Sequence, residues 1–82
     1  SLATRRKTCA TVANELLRRV ANEAQVSPGR PIVARAAPDV VDWLERGNVG
    51  LIDRLRRKVA VDLRLTPEPG FSRERIDVGA AQ

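Results

Sequence analysis

The chain has 82 residues, 43% of them apolar and 30% charged, and 15 Lys+Arg against 10 Asp+Glu leave a net charge of +5. That length holds one small domain with an ordered core over about 5–78, and the balance is that of a globular chain rather than a disordered one. There is no His, no Tyr and one Cys, which excludes a His-dependent nucleophilic device, an internal disulfide and a Cys/His zinc site.

From Arg5 to about Ala24 the pattern is helical. Cys9, Val12, Leu16, Val20 and Ala24 step by three or four, Ala13 and Leu17 widen the stripe, and Asn14, Arg18 and Asn22 lie opposite. Thr4 and Thr8 are the candidate caps. Ser27-Pro28-Gly29-Arg30-Pro31 is a strong turn signal, and Ile32 to Ala36 reads as a short strand. A second helix fits 38–46. Pro38 suits its first position, Asp39 and Asp42 favour the positive end of the helix dipole, and Arg46 favours the negative end. Val40, Val41 and Leu44 make its apolar stripe with Trp43 on a flank, and Gly47 reads as its stop.

A third helix runs from about Val49 to Lys58, with Ile52 and Leu55 inward and a basic end of Arg54, Arg56, Arg57 and Lys58. Val59, Val61, Leu63 and Leu65 then alternate with Ala60, Asp62 and Arg64, which predicts a strand. Thr66 to Gly70 reads as a loop, Ser72 to Val78 as an edge strand, and Gly79 to Gln82 as tail. The expected fold class is α+β: a two-layer α/β sandwich in the order α-β-α-α-β-β, with three helices on one face of a three-stranded, mainly antiparallel sheet. Ile32, Val61, Leu63 and Ile76 are expected to face Val12, Leu16, Val20, Leu44, Ile52 and Leu55.

The basic charge comes from 13 Arg and only two Lys. Arg forks onto phosphate and stacks on bases, which suits RNA, although an Arg- and Ala-rich composition yields the same count with no ligand. Gly47-Asn48-Val49-Gly50 lies between two short helices and ahead of a strand, with Arg46 before it and Arg54, Arg57 and Lys58 after it. The arrangement is similar to the heart of a KH domain, whose GxxG loop admits the backbone of single-stranded RNA close to the peptide amides. The resemblance implies RNA contacts from Arg46, Gly47, Asn48, Val49, Gly50, Arg54, Arg57 and Lys58. It departs from the KH pattern in having no Lys or Arg between the glycines, and a plain helix–helix turn explains the same residues.

A wider resemblance runs from Thr8 to Val78 on four stretches in order: Thr11–Val20, Arg30–Leu44, Lys58–Leu65 and Phe71–Val78. Together they resemble the small C-terminal domain of the ribonuclease E/ribonuclease G family. In that family magnesium-binding carboxylates in an earlier domain cut the RNA, a Cys-containing zinc link precedes the small domain, and the small domain serves subunit association. The resemblance implies a non-catalytic accessory or oligomerisation domain of an RNA-processing endoribonuclease. Its partners are then the rest of such a parent chain, RNA, and other copies of itself. An independent KH-like module binding single-stranded RNA, and a protein-association domain with no RNA role, are the alternative functions.

For chemistry within the chain, the five Asp and five Glu are the only general acid/base candidates. Asp39 and Asp42 lie three apart, a spacing that suits a shared metal but equally a first helical turn facing the dipole. The reading is therefore no enzyme, no metal and no cofactor for this chain. Cys9 on the apolar stripe reads as a small buried hydrophobe. Trp43 reads as a cover for the core edge, with a stacking platform or a subunit anchor as the other roles for such a side chain. The apolar runs are too short to span a bilayer and no signal peptide or lipidation motif is visible, so the expected location is the cytoplasm and no membrane.

Overall fold

The computed structural model describes residues 7–81. Helix α1 (Cys9–Val26) starts where the Thr8 side chain accepts from the Thr11 amide, so the second of the two candidate caps sets the boundary. Its expected first turn at Arg5 and Arg6 lies outside the described residues, and Lys7 pairs with Glu15 at 3.3 Å. The helix closes at Ser27, and Gly29 carries the chain round the following turn at φ +76°, a conformation that a side chain disfavours.

Strand β1 (Ile32–Ala36) occupies the expected residues. Helix α2 (Pro38–Asp42) opens on its proline and continues through a wider, π-helical turn over Trp43–Gly47. Asn48 is the only break before α3 (Val49–Val59). Strands β2 (Leu63–Pro67) and β3 (Ile76–Ala80) complete the order α-β-α-α-β-β. The fold class is the one the sequence predicts: α+β, with helices layered on a three-stranded sheet. The strand order is β2-β1-β3, and β1 runs parallel to β2 and antiparallel to β3. The parallel pair follows from the connection, since α2 and α3 form the crossover that returns the chain to the same end of the sheet.

The second and third strands both slide toward the C-terminus from their expected places, at each end. The alternation from Val59 to Leu65 is a strand only in its second half. Val59 lies four positions after Leu55 and seven after Ile52, so it also completes the helical stripe, and the helix claims it. Ala60 then turns left-handed at φ 55° and donates its amide to the Arg56 carbonyl, and β2 begins at Leu63. Thr66 and Pro67, expected in a loop, lie within β2 opposite Arg35 and Ala36. The last strand also slides toward the C-terminus. Residues 72–75 form a turn closed by the Arg75 amide on the Ser72 carbonyl, and Gly79 and Ala80, expected as tail, pair with Val33 and Ile32. Small residues give little strand signal of their own, so the pairing came from β1.

The core is aliphatic. Val12, Leu16, Val20, Ile32, Ala34, Val40, Leu44 and Ile52 are fully or almost fully buried, and no polar or charged side chain among the described residues is. Leu55 and Leu63 join this core, whereas Val61 and Ile76, expected within it, are half-buried at its margin. Val61 sits in the bend before β2, and Ile76 opens an edge strand. Alternate residues of β1 and β2 point away from the helices, which leaves Val33, Arg35, Arg64 and Thr66 on the opposite face. Among the described residues no helix is long and apolar enough to cross a membrane.

Candidate functional site

The candidate RNA contacts gather around the α2–α3 junction and along α3. Arg46 is well exposed and pairs with Asp42 at 2.8 Å across one helical turn. Gly47 ends the π-helical turn at a negative φ and is not a left-handed stop, and Gly50 lies inside the first turn of α3. The four-residue GxxG loop of the KH resemblance is thus reduced to one residue, Asn48, and α3 starts at Val49 as its spacing predicts. Its amide nitrogen donates to the Trp43 carbonyl at 3.1 Å, satisfying a group that the helix end would leave open. The Asn48 side chain is therefore engaged in the fold, while Val49 beside it is half exposed.

Along α3, Gly50, Arg54, Arg57 and Lys58 fall on one stripe opposite the buried Ile52 and Leu55. At 1.5 Å rise per residue, Gly50 and Lys58 are about 12 Å apart along the axis. Among the described residues, Arg54, Arg57 and Lys58 have no carboxylate within ion-pair distance. Arg56, on the flank of the same helix, is used otherwise: it lies 3.8 Å from Asp53 and donates to the Leu63 carbonyl at 3.2 Å. A Cβ placed at Gly47 or Gly50 would meet nothing within 4 Å. Neither glycine is needed for packing or for a backbone angle, and the space over both is open to an approaching chain.

A second cluster joins residues distant in sequence. The Arg73 guanidinium donates to Asp39 at 2.8 Å, tying the loop after β2 to the start of α2, and Cys9 at the start of α1 lies against the same carboxylate. The bond from Arg73 holds the Asp39 carboxyl below the usual carboxylate range, and Arg73 itself is raised. Burial, and then the hydrogen bond and charge of Asp39, push the Cys9 thiol up. The thiol therefore stays protonated at neutral pH and is a poor nucleophile. Beside this cluster Arg75 stacks over the Phe71 ring at 4.1 Å. Trp43 is half-buried against the core, as expected for a cover at its edge.

Among the described residues, no group of three His, Cys, Asp or Glu side chains is placed to hold a metal ion. Asp39 and Asp42 have their own cations, Arg73 and Arg46. The sequence singled out Asp39 and Cys9 separately; nothing in a linear pattern brings Arg73 to them, since the contact spans 34 positions. It also missed the difference between the two sheet edges, because that difference depends on strand order. No protein-family model and no curated protein matches this chain.

Proposed function

We propose that the chain is a non-catalytic accessory domain of an RNA-processing endoribonuclease similar to the ribonuclease E/ribonuclease G family, and that it works by association. The observation supporting this reading is the position of the four resembling stretches. Thr11–Val20 lies in α1, Arg30–Leu44 covers β1 and the start of the second helix, Lys58–Leu65 spans the α3–β2 junction, and Phe71–Val78 leads into β3. All four contribute to one core. Its partners in this reading are the remainder of a nuclease chain and further copies of the domain, in the cytoplasm. The test is sedimentation velocity over ~10 µM to ~1 mM protein, a span that captures weak association. A mass that rises with concentration is expected, and a monomer throughout would overturn association between copies.

A second reading is favoured by a specific feature, the stripe of cations on α3 that has no carboxylate partner among the described residues and ends at the uncovered Gly50. Single-stranded RNA would lie along Gly50, Arg54, Arg57 and Lys58, its phosphates against the guanidinium groups and its chain close to the α2–α3 junction. Gly50→Asp tests it by placing a carboxylate in open space while leaving the Asn48–Trp43 bond intact. In fluorescence anisotropy with a labelled single-stranded RNA at ~0.15 M salt, where loosely held charge contacts are largely screened, this variant should lose binding. Equal binding by both proteins would remove the junction from the site.

A further inference from the structure

The two outer edges of the sheet are not alike. The Ile32 amide donates to Asp62 and the Glu68 amide to Ala36, so Asp62, Arg64, Thr66 and Glu68 turn their peptide groups toward β1, while Leu63, Leu65 and Pro67 turn theirs outward. That outward row is blunted: Arg56 donates to the Leu63 carbonyl, and Pro67 has no amide hydrogen to offer. On the other side, the Ala81 amide donates to the Pro31 carbonyl, which fixes Asp77, Gly79 and Ala81 as the residues facing β1. The peptide groups of Ile76, Val78 and Ala80 therefore face outward, and among the described residues no strand pairs with them. Arg30 donates to the Ala81 carbonyl at 3.1 Å, beyond the end of the strand, but among the described residues no proline interrupts the outward row of Ile76, Val78 and Ala80 and no arginine bonds to it, which makes it a template for a further strand.

The occupant can be chosen from charge. A second copy of a chain carrying +5 is repelled wherever like charges meet. Beside β3, however, the groove between α1 and Val78 is lined by Glu15, Arg18, Arg19, Asn22 and Glu23, a surface of mixed sign in which Glu15 also pairs with Lys7 and Arg19. A polyanion gains less at such a surface than along the α3 stripe, whereas a copy of the same mixed surface meets both signs. The half-buried side chains of Ile76 and Val78 also remain to be covered. An antiparallel edge is self-complementary under a two-fold axis, the commonest symmetry of soluble assemblies.

We propose that β3 pairs antiparallel with β3 of a second copy, Val78 opposite Val78 and Ile76 opposite Ala80, to give one continuous six-stranded sheet. The proposal rests on the reading that the domain acts by association, and it assigns the surface. A five-residue strand gives an interface well under the ~1,000 Å² of a stable complex, so the dimer is weak and concentration-dependent.

Amide hydrogen exchange read by NMR at ~20 µM and ~1 mM, a span matched to weak binding, tests it. Asp77, Gly79 and Ala81, bonded within the sheet, should be protected at both concentrations. Val78 and Ala80 should exchange fast in dilute protein and slow at least several-fold in concentrated protein. Fast exchange of Val78 and Ala80 at both concentrations would overturn the proposal. So would equal protection at both, which would mean that the chain covers its own edge. Sedimentation of Val78→Pro, which removes an outward amide of β3 together with the half-buried valine side chain, separates this proposal from the broader one. Loss of the dimer in a folded variant is expected. A folded Val78→Pro that still dimerises contradicts the edge but leaves association standing, while a wild-type monomer at every concentration contradicts both. If Val78→Pro does not fold, the exchange pattern of the wild-type chain decides alone.

Discussion

On α3, Arg54, Arg57 and Lys58 form an exposed stripe that has no carboxylate partner among the described residues, whereas beside β3 the cations Arg18 and Arg19 lie between Glu15 and Glu23, next to peptide groups that no described strand pairs with. The two surfaces rest on one aliphatic core, and in the readings proposed above they take opposite partners. A run of one sign gains from phosphate and loses from a second copy of the same chain. A mixed-sign surface beside a strand edge gains little from phosphate, yet matches itself. In so small a basic domain, local charge balance rather than total charge decides where another copy can approach.

The largest expected effect removes what the two surfaces share. Leu16 is fully buried, and Leu16→Ala should cost about 2–5 kcal/mol through lost burial and the cavity left behind. In urea titrations the domain should unfold far earlier, and RNA binding and dimerisation should fail together. Separate failure would show that one surface persists without the core.

Next in size is Arg54→Gln/Arg57→Gln, which should weaken RNA binding by roughly tenfold or more and flatten its salt dependence. The same variant should dimerise as well as the wild type. If dimerisation falls in step with RNA binding in sedimentation and anisotropy measurements, the two surfaces are not separate.

Backbone substitutions sharpen the comparison at the ends of α3. Gly50 sits in the helix at a negative φ with open space around it, so Gly50→Ala should stabilise by about 0.5–1 kcal/mol. Ala60 is left-handed, and Ala60→Gly should stabilise by about 1 kcal/mol through relief of that conformation. Gly29→Ala should do the reverse, because Gly29 needs its positive φ. Thermal melts of the three variants check the signs. A Gly50→Ala protein that is more stable yet no longer binds RNA would mark the junction as a close-approach site.

The smallest effect concerns the Asp39–Arg73 tie, which joins the loop after β2 to the start of α2. The Asp39 carboxyl titrates lower in the folded protein than in the unfolded chain. Its contribution is therefore complete above the ordinary carboxylate pKa near ~3.9 and is lost as the pH falls through the folded-state value. Asp39→Asn should lower the melting temperature slightly at pH 7, and that difference should vanish in acid. A difference that persists undiminished at the lowest pH would point to a packing defect introduced by the amide instead of a lost charge contact.

Much of the fold was legible because helical and strand periods place apolar residues on faces that must be covered. The stripe of α1, the β-prone run of β1 and the proline start of α2 agree with their packing. The strand boundaries were less legible where one residue satisfies two patterns, as Val59 does, or where pairing alone makes a strand of Gly79 and Ala80. The basic stripe on α3 followed from helical spacing. The tight junction followed as well, since the spacing already starts α3 at about Val49; what it did not show is that Gly47 is held inside a π-helical turn instead of acting as a left-handed stop. The open edge of β3 was hidden entirely. It exists because β1 is the central strand and because Arg56 and Pro67 guard the other side.

Association is the central claim, and the mass of the chain as a function of concentration tests it most directly. Sedimentation velocity across ~10 µM to ~1 mM at ~0.15 M salt, near physiological screening, should show a monomer that shifts toward twice its mass as concentration rises. A single species at the monomer mass over the whole range would contradict the account.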